Sequence, residues 1–329
     1  MLRFAIIGAG RIGQVHARTI YAHPGAELVT IVDPSPGAAA SLAATFGAKG
    51  TESVEDVYGD DTIDAVVICS PTACHVDQIV ASIAAGKAVL TEKPVDLSVV
   101  RVDECLAAIK GQEHRVMVGF NRRFDPGVVE LKTRLDAGEI GELRQVTIIS
   151  RDPAAAPVQY MVNSGGIFKD MTIHDFDMAR FLLGDIAEVS ASGHAFTDDI
   201  RGIGDIDTCS VTLTAPSGAT ATILNSRECA AGYDQRIEVF GPKGALETTN
   251  LRNTGVRFSG ATGTDLAGPY LPFFLERYAA AYTAELDHFI SSIEAGTAPS
   301  PSVLDGRAAL VIAEAAGQSV AGHTMVPVA

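Results

Sequence analysis

Cysteine is scarce in this 329-residue chain: Cys69, Cys74, Cys105, Cys209 and Cys229 are an odd number and widely scattered. None forms a C-x-x-C pair with a second pair downstream, so neither a zinc ribbon nor a disulfide framework is indicated, and no metal is expected. No uninterrupted apolar run approaches the roughly 20 residues that a membrane span requires. The opening Met1-Leu2-Arg3-Phe4 leads straight into a strand-like run, without the apolar stretch and small-residue cleavage site of an export signal. A cytoplasmic location with reduced thiols is the resulting expectation. Basic charge is also short: 25 Lys and Arg against 40 Asp and Glu give a formal charge of −15. An acidic surface repels phosphate backbones and anionic membranes, so neither nucleic acid nor a membrane is an expected partner.

What is present suffices for a core. Hydrophobic residues make up 47% and charged residues 20%, which excludes a disordered chain. At roughly 150 residues per domain, the length suggests about two domains. Over the first half, Leu2 to Ile7, Leu28 to Val32, Ile63 to Cys69, Ala88 to Leu90 and Val116 to Val118 are short runs rich in Val, Ile and Ala. They read as strands buried on both faces, as in a parallel sheet. Helical patterns lie between them: Gln14 to Ala22, Val76 to Ala85 closed by Gly86, and Val99 to Ile109 closed by Gly111. This alternation predicts a doubly wound α/β domain over residues 1–120.

The pattern changes in residues 121–329. A helix near Val128 to Leu135 precedes strand-like runs at Leu143 to Ser150, Val189 to Ser192, Cys209 to Thr214, Ala219 to Ser226 and Arg236 to Phe240. Pro216-Ser217-Gly218 and Gly241-Pro242-Lys243-Gly244 punctuate them as hairpin turns, and such short connections favour antiparallel pairing. Two helices, near Phe274 to Glu294 and Leu304 to Ser319, are expected to close the chain.

Gly8-Ala9-Gly10-Arg11-Ile12-Gly13 is a G-x-G-x-x-G segment between a predicted strand and a predicted helix. Gly8 permits the tight turn, Gly10 lets backbone approach a pyrophosphate, and Gly13 lets helix and strand pack closely. Asp33 ends the next strand, 20 residues past Gly13, where a carboxylate accepts from the adenosine ribose hydroxyls. It would repel a 2′-phosphate, and Pro34 and Ser35 supply no cation, so NAD is expected over NADP.

Two further segments could carry chemistry. Thr91-Glu92-Lys93-Pro94 follows a strand whose C-terminal end would line the ligand crevice. A lysine there could stabilise an alkoxide; by spacing alone it reads first as a surface lysine at a turn, before a proline that can be cis. In Gly165 to Asp177, Asp170 and His174 stand at i and i+4, so one helical face would carry both, with Asp177 three residues further on. A carboxylate beside an imidazole fixes its tautomer, as a general base requires; the alternative is a capping aspartate and a partly buried histidine.

Together, the glycine fingerprint, Glu92-Lys93-Pro94 and the Asp170-x-x-x-His174 segment resemble the Gfo/Idh/MocA oxidoreductases along essentially the whole chain. The most specific segments are similar to the family's bacterial inositol dehydrogenase branch: Gly119-Phe120-Asn121-Arg122-Arg123-Phe124-Asp125-Pro126, Ser150-Arg151-Asp152-Pro153, Asp170 to Asp177 and Gly232-Tyr233-Asp234-Gln235-Arg236. The resemblance implies an N-terminal Rossmann domain and a C-terminal α/β domain with a large, open, mostly antiparallel sheet. It places Lys93, Asp170 and His174 in the catalytic group. Gly8, Gly10, Arg11, Ile12, Gly13, Asp33, Glu92 and Lys93 are implied at the NAD site, with Ser70, Pro71, Thr72 and His75 lining the dinucleotide. Asn121, Arg123, Asp152 and Tyr233 are implied to join Lys93, Asp170 and His174 around the substrate. Asp152-Pro153 is otherwise a frequent turn initiator, and Arg122 and Arg123 are otherwise ion-pair residues. Glu228-Cys229-Ala230-Ala231 departs from the family's more basic pattern before Gly232.

The implied reaction is NAD-dependent oxidation of a ring secondary alcohol of a cyclic polyol or sugar, foremost myo-inositol to its 2-ketone, by a homotetramer or homodimer. Alternatives are a dehydrogenase of scyllo-inositol, a hexose or another polyol, a glycoside-cleaving enzyme using NAD transiently, or a non-catalytic NAD sensor. Retention of all three catalytic residues argues against the sensor.

Overall fold

A computed structural model describes residues 1–328. The chain packs as two compact units, and each takes residues from separate stretches of sequence. The first comprises Met1–Phe124 and Ala280–Leu310; the second comprises Asp125–Ala279 and the chain from Val311 onward.

The first unit is built on strands β1 (Leu2–Ile7), β2 (Ala26–Val32), β3 (Lys49–Thr51), β4 (Ala65–Ile68), β5 (Ala88–Glu92) and β6 (Val116–Gly119). All are parallel, in the order β3-β2-β1-β4-β5-β6. β4 is buried at every residue, as a central strand with both faces covered must be. Helices Arg11–Ala22, His75–Ala84 and Val99–Ala108 cover the sheet through residues such as Ala17, Ile20, Val76, Ile79 and Val102. The short edge strand β3 escaped the sequence reading. It has no apolar run, and Gly50 is there because a Cβ would lie 2.7 Å from the backbone of Ala40.

The contiguous division at residue 120 does not describe this packing. Helix Ala279–Ala295 returns to the first unit and sets Leu286, Phe289 and Ile290 among Phe4, Ile31 and Ala65. An apolar helix face belongs wherever it buries its surface, and sequence order does not decide that. The single helix expected from Phe274 to Glu294 is also two pieces, Phe274–Arg277 and Ala279–Ala295, parted at Tyr278.

The second unit holds β7 (Gln145–Arg151), β8 (Glu188–His194), β9 (Thr208–Thr214), β10 (Thr220–Ser226), β11 (Asp234–Gly241) and β12 (Gly244–Thr248). A small hairpin, β13 (Arg257–Gly260) with β14 (Gly263–Ala267), and a terminal β15 (Val326–Pro327) complete the strands. The sheet order is β12-β11-β7-β10-β9-β8-β15. Both predicted hairpins form, with Gly218 and Gly244 at positive φ in their turns. The sheet is mostly antiparallel, but β7 and β10 pair in parallel: after β7 the chain passes through helices to β8, and two antiparallel steps through β9 bring β10 back beside β7. Helix Ile173–Leu183 packs on β7 and β10, where Val146, Ile148, Ala221 and Ile223 are buried. The opposite face carries Ser210, Thr212 and Thr222, which are exposed, and the half-buried Thr147 and Ile149.

Candidate active site

In the first unit, β1 turns through Gly8, at φ +109°, into helix Arg11–Ala22. A Cβ on Gly8 would lie 2.6 Å from the carbonyl carbon of Cys69, and one on Gly13 would lie 2.0 Å from the Gly8 carbonyl oxygen. A Cβ on Gly10 would meet nothing within 4 Å. Two glycines are therefore demanded by close backbone approach, and the third opens onto free space. Gly10 is the N-cap and offers no side-chain cap, so the positive end of the helix dipole faces that space. This is a fit for a dinucleotide pyrophosphate.

Asp33 closes the cradle. Its Oδ2 accepts from the Ala9 N–H at 2.8 Å and its Oδ1 from the Ser35 N–H at 2.8 Å. Burial pushes this carboxyl up, but the backbone donors of Ala9 and Ser35 outweigh it and hold it below the ordinary value. A carboxylate offers about four acceptor positions, so capacity remains beyond these bonds.

The neighbouring loops are fastened together. Ser70 Oγ donates to Gln78 Oε1 at 2.6 Å, while Pro71 is exposed and Thr72 half-buried. His75, expected to line the dinucleotide, is instead 1% exposed, with Nδ1 2.8 Å from the Pro94 carbonyl and Nε2 2.9 Å from that of Ser70. Both nitrogens face backbone, so the ring joins the loop after β4 to the loop after β5. Burial pulls its pKa below the usual imidazole value, against the opposing effect of those carbonyls. Lys93 is half-buried and its bond to Pro94 is cis. Glu92 Oε1 lies 2.8 Å from Nε2 of the buried His16. Asn121 and Arg123 are buried after β6, and Arg123 pairs with Asp305 at 3.1 Å, the ion-pair alternative open from sequence.

In the second unit, Asp170 and His174 do not share one continuous helix. Gly166–Asp170 forms a short helix, and a new one starts at Ile173 after Met171 and Thr172. Gly165 and Gly166 adopt φ of +84° and +82°, which lets the chain enter the short helix abruptly. Asp170 Oδ1 accepts from the Tyr160 hydroxyl at 2.8 Å and Oδ2 from Arg227 at 3.2 Å. Arg227 is 1% exposed and also donates to Asp205 at 3.3 Å, whose other oxygen accepts from the Ile167 N–H at 3.0 Å. His174 is half-buried, while Ile173, Asp175 and Asp177 around it are buried. Asp175 accepts from Asn225 Nδ2 at 2.7 Å, which ties this helix to β10. Asp152 is half-buried just past β7, and Tyr233 is buried edge-on to Phe273 and Tyr278.

Sequence reasoning missed Tyr160, Asp205 and Arg227 around Asp170, and His16 beside Glu92. No spacing rule marks them, since Arg227 stands 57 residues from Asp170 and His16 stands 76 from Glu92.

Residues 2–120 match the family described as "Oxidoreductase family, NAD-binding Rossmann fold", and residues 128–247 match the "GFO/IDH/MocA C-terminal domain". An inositol 2-dehydrogenase of Rhizobium meliloti is 46% identical over 100% of this chain and 99% of its own. The chain belongs to the Gfo/Idh/MocA oxidoreductase family. It is an NAD-dependent oxidoreductase acting on CH–OH groups, and the first unit is its NAD-binding Rossmann domain. Among solved structures, a myo-inositol dehydrogenase from Corynebacterium glutamicum superposes with a TM-score of 0.97 at 47% identity, covering 100% of this chain and 99% of the other. A scyllo-inositol dehydrogenase from Lactobacillus casei with bound NAD(H) and scyllo-inositol gives 0.92 at 29% identity, covering 100% and 99%.

Proposed function

We propose that the chain oxidises one ring secondary alcohol of an inositol to the ketone, with myo-inositol as the foremost substrate. The observation that carries this reading is full-length similarity to inositol dehydrogenases together with the presence of Lys93, Asp170 and His174. When bound, NAD supplies the acceptor for the hydride that leaves the alcohol carbon. His174 takes the hydroxyl proton on its imidazole as general base. Asp170 steadies the resulting imidazolium, and its own carboxylate is held by Tyr160 and Arg227. The Lys93 ammonium stabilises the oxygen as it gains alkoxide character. Asn121, Asp152 and Tyr233 contact the remaining hydroxyls, and Asp33 accepts from the ribose.

A neutral polyol suits the second unit, where Arg227 is committed to Asp170 and Asp205 and Arg151 and Arg236 pair with Asp234. The test is the initial rate of NAD reduction across inositol isomers and common aldoses. Turnover with myo-inositol above all others supports the reading. Preference for scyllo-inositol or a hexose moves the assignment to that polyol, and free sugar released from a glycoside without net NADH overturns it.

A further inference from the structure

We propose that Arg227 is a positioning residue of this oxidoreductase, which fixes the Asp170 carboxylate without touching substrate; the inference rests on the roles of Asp170 and His174 given above. Arg227 stands just past β10 and is the bulkiest of the fully buried side chains. Its guanidinium bridges two carboxylates that lie at opposite ends of the short helix Gly166–Asp170. One terminal nitrogen donates to Asp170 at the end of that helix, the other to Asp205, which in turn accepts from Ile167 at its start. A planar guanidinium suits this task because its donors leave in fixed directions, which a lysine ammonium cannot reproduce.

Stability is a poor account of the arrangement. A buried ion pair commonly does no better than well-packed apolar side chains, because desolvating the charges offsets their attraction. Arg227 also leaves its Nε–H buried without a hydrogen-bond partner among the described residues, a further cost. What the geometry does achieve is placement. Tyr160 holds one oxygen of Asp170 and Arg227 the other, so both oxygens of the carboxylate are engaged. Between the short helix and the next, Met171 and Thr172 keep right-handed helical backbone and donate to the Ile167 carbonyl, so the backbone sets the spacing of Asp170 and His174 while Tyr160 and Arg227 orient the carboxylate itself.

The charged groups around Asp170 set the electrostatic expectation. Arg227 pairs with it directly, and Asp205 pairs with the same guanidinium. Lys169 on its own helix is paired with Glu314 on helix Val303–Gly322, and His174, Asp175 and Asp177 lie on the helix Ile173–Leu183. Removing the cation favours a protonated His174, whereas neutralising Asp205 disfavours it. The two changes therefore move the acid limb of the oxidation pH profile in opposite directions.

The experiment compares full-length Arg227→Gln, Arg227→Lys and Asp205→Asn with the parent, each shown to be folded by circular dichroism. In Arg227→Gln, kcat is expected to fall about 10- to 100-fold, as for a misplaced catalytic group, while KM for NAD stays within about twofold. Its acid limb moves to higher pH. Arg227→Lys returns the limb towards the parent position and recovers part of kcat, and Asp205→Asn moves the limb to lower pH. The titration of the His174 ring, followed by NMR and assigned by its loss in His174→Gln, shifts with the same signs. Parent-like kcat and limb in Arg227→Gln, or limbs displaced to the same side in Arg227→Gln and Asp205→Asn, would overturn the proposal. If Arg227→Gln does not fold, Asp205→Asn decides: a limb moved to lower pH supports the proposal, and an unmoved limb or one at higher pH overturns it. A parent that oxidises no polyol defeats the functional reading alone, and the His174 titration then decides the role of Arg227.

Discussion

At the scale of single residues, Asp33 makes the cofactor preference testable. Its carboxylate is ionised and anchored by the N–H groups of Ala9 and Ser35, so a 2′-phosphate meets a fixed negative charge. NAD should exceed NADP in kcat/KM, and Asp33→Ala should narrow that ratio; equal efficiencies in the parent would refute the assignment. Lys93→Ala removes a charged donor from the reacting oxygen. The cost is on the order of 3 kcal/mol in the transition state, about a hundredfold in kcat, and near-normal turnover would return Lys93 to the role of a turn residue. His174→Ala should keep NADH affinity, measured by fluorescence, and lose about 100- to 10,000-fold of turnover, the usual worth of base catalysis. Asp170→Asn should be milder, since it keeps the shape and loses the charge. These residues stood out as candidates because each sits in a short local motif, and the family resemblance supplied their proposed roles. Arg227 was not, because its partners Asp170 and Asp205 come from different segments and only folding brings them together.

At the scale of elements, the buried strands were the most legible, since runs such as Ala65–Ile68 have apolar side chains on both faces. The exposed hairpin β13–β14 and the edge strand β3 were not, because neither has a buried face to impose a pattern. The helix Ala279–Ala295 carries a further consequence. Glu285 on it is fully buried, and neither carboxyl oxygen has a hydrogen-bond partner among the described residues. Burial first, and the nearby charge of Glu92 second, push its pKa well above the ordinary value. A carboxyl raised in the folded state gives its full stability below the unfolded pKa and loses it as pH rises towards the folded one. The melting temperature should therefore decline less as pH rises above about 5 in Glu285→Gln than in the parent. Parallel curves would show that the carboxyl is not held neutral.

At the scale of the whole molecule, the second unit leaves one face of its sheet with exposed Ser210, Thr212 and Thr222 and half-buried Ile149. An open sheet needs its apolar residues covered, and a second copy of the chain is the proposed cover for the part of this face around Ile149. Light scattering should report a tetramer or a dimer, and monomer alone at micromolar concentration would count against it. Among the described residues no helix is long and apolar enough to cross a membrane, in keeping with the absence of a long apolar run. The partition of the chain was less legible than its elements. A division near residue 120 follows from the change of texture, yet 280–310 pack with the first unit because Leu286, Phe289 and Ile290 find their apolar partners there.

What the sequence by itself determined is whatever rests on local chemistry. The glycines at 8, 10 and 13 and the aspartate at 33 specify a dinucleotide turn, since backbone sterics and a fixed 20-residue span act within one β-α-β unit. Alternating and continuous apolar runs likewise specify which half is parallel and which is hairpin-built. Only the tertiary structure decided how the catalytic candidates are held. It broke the helix between Asp170 and His174, turned His75 towards the backbone carbonyls of Ser70 and Pro94, and placed Arg227 between two carboxylates. The physical reason is that a buried polar group must find its partner in space, and the partner that satisfies it can stand anywhere along the chain.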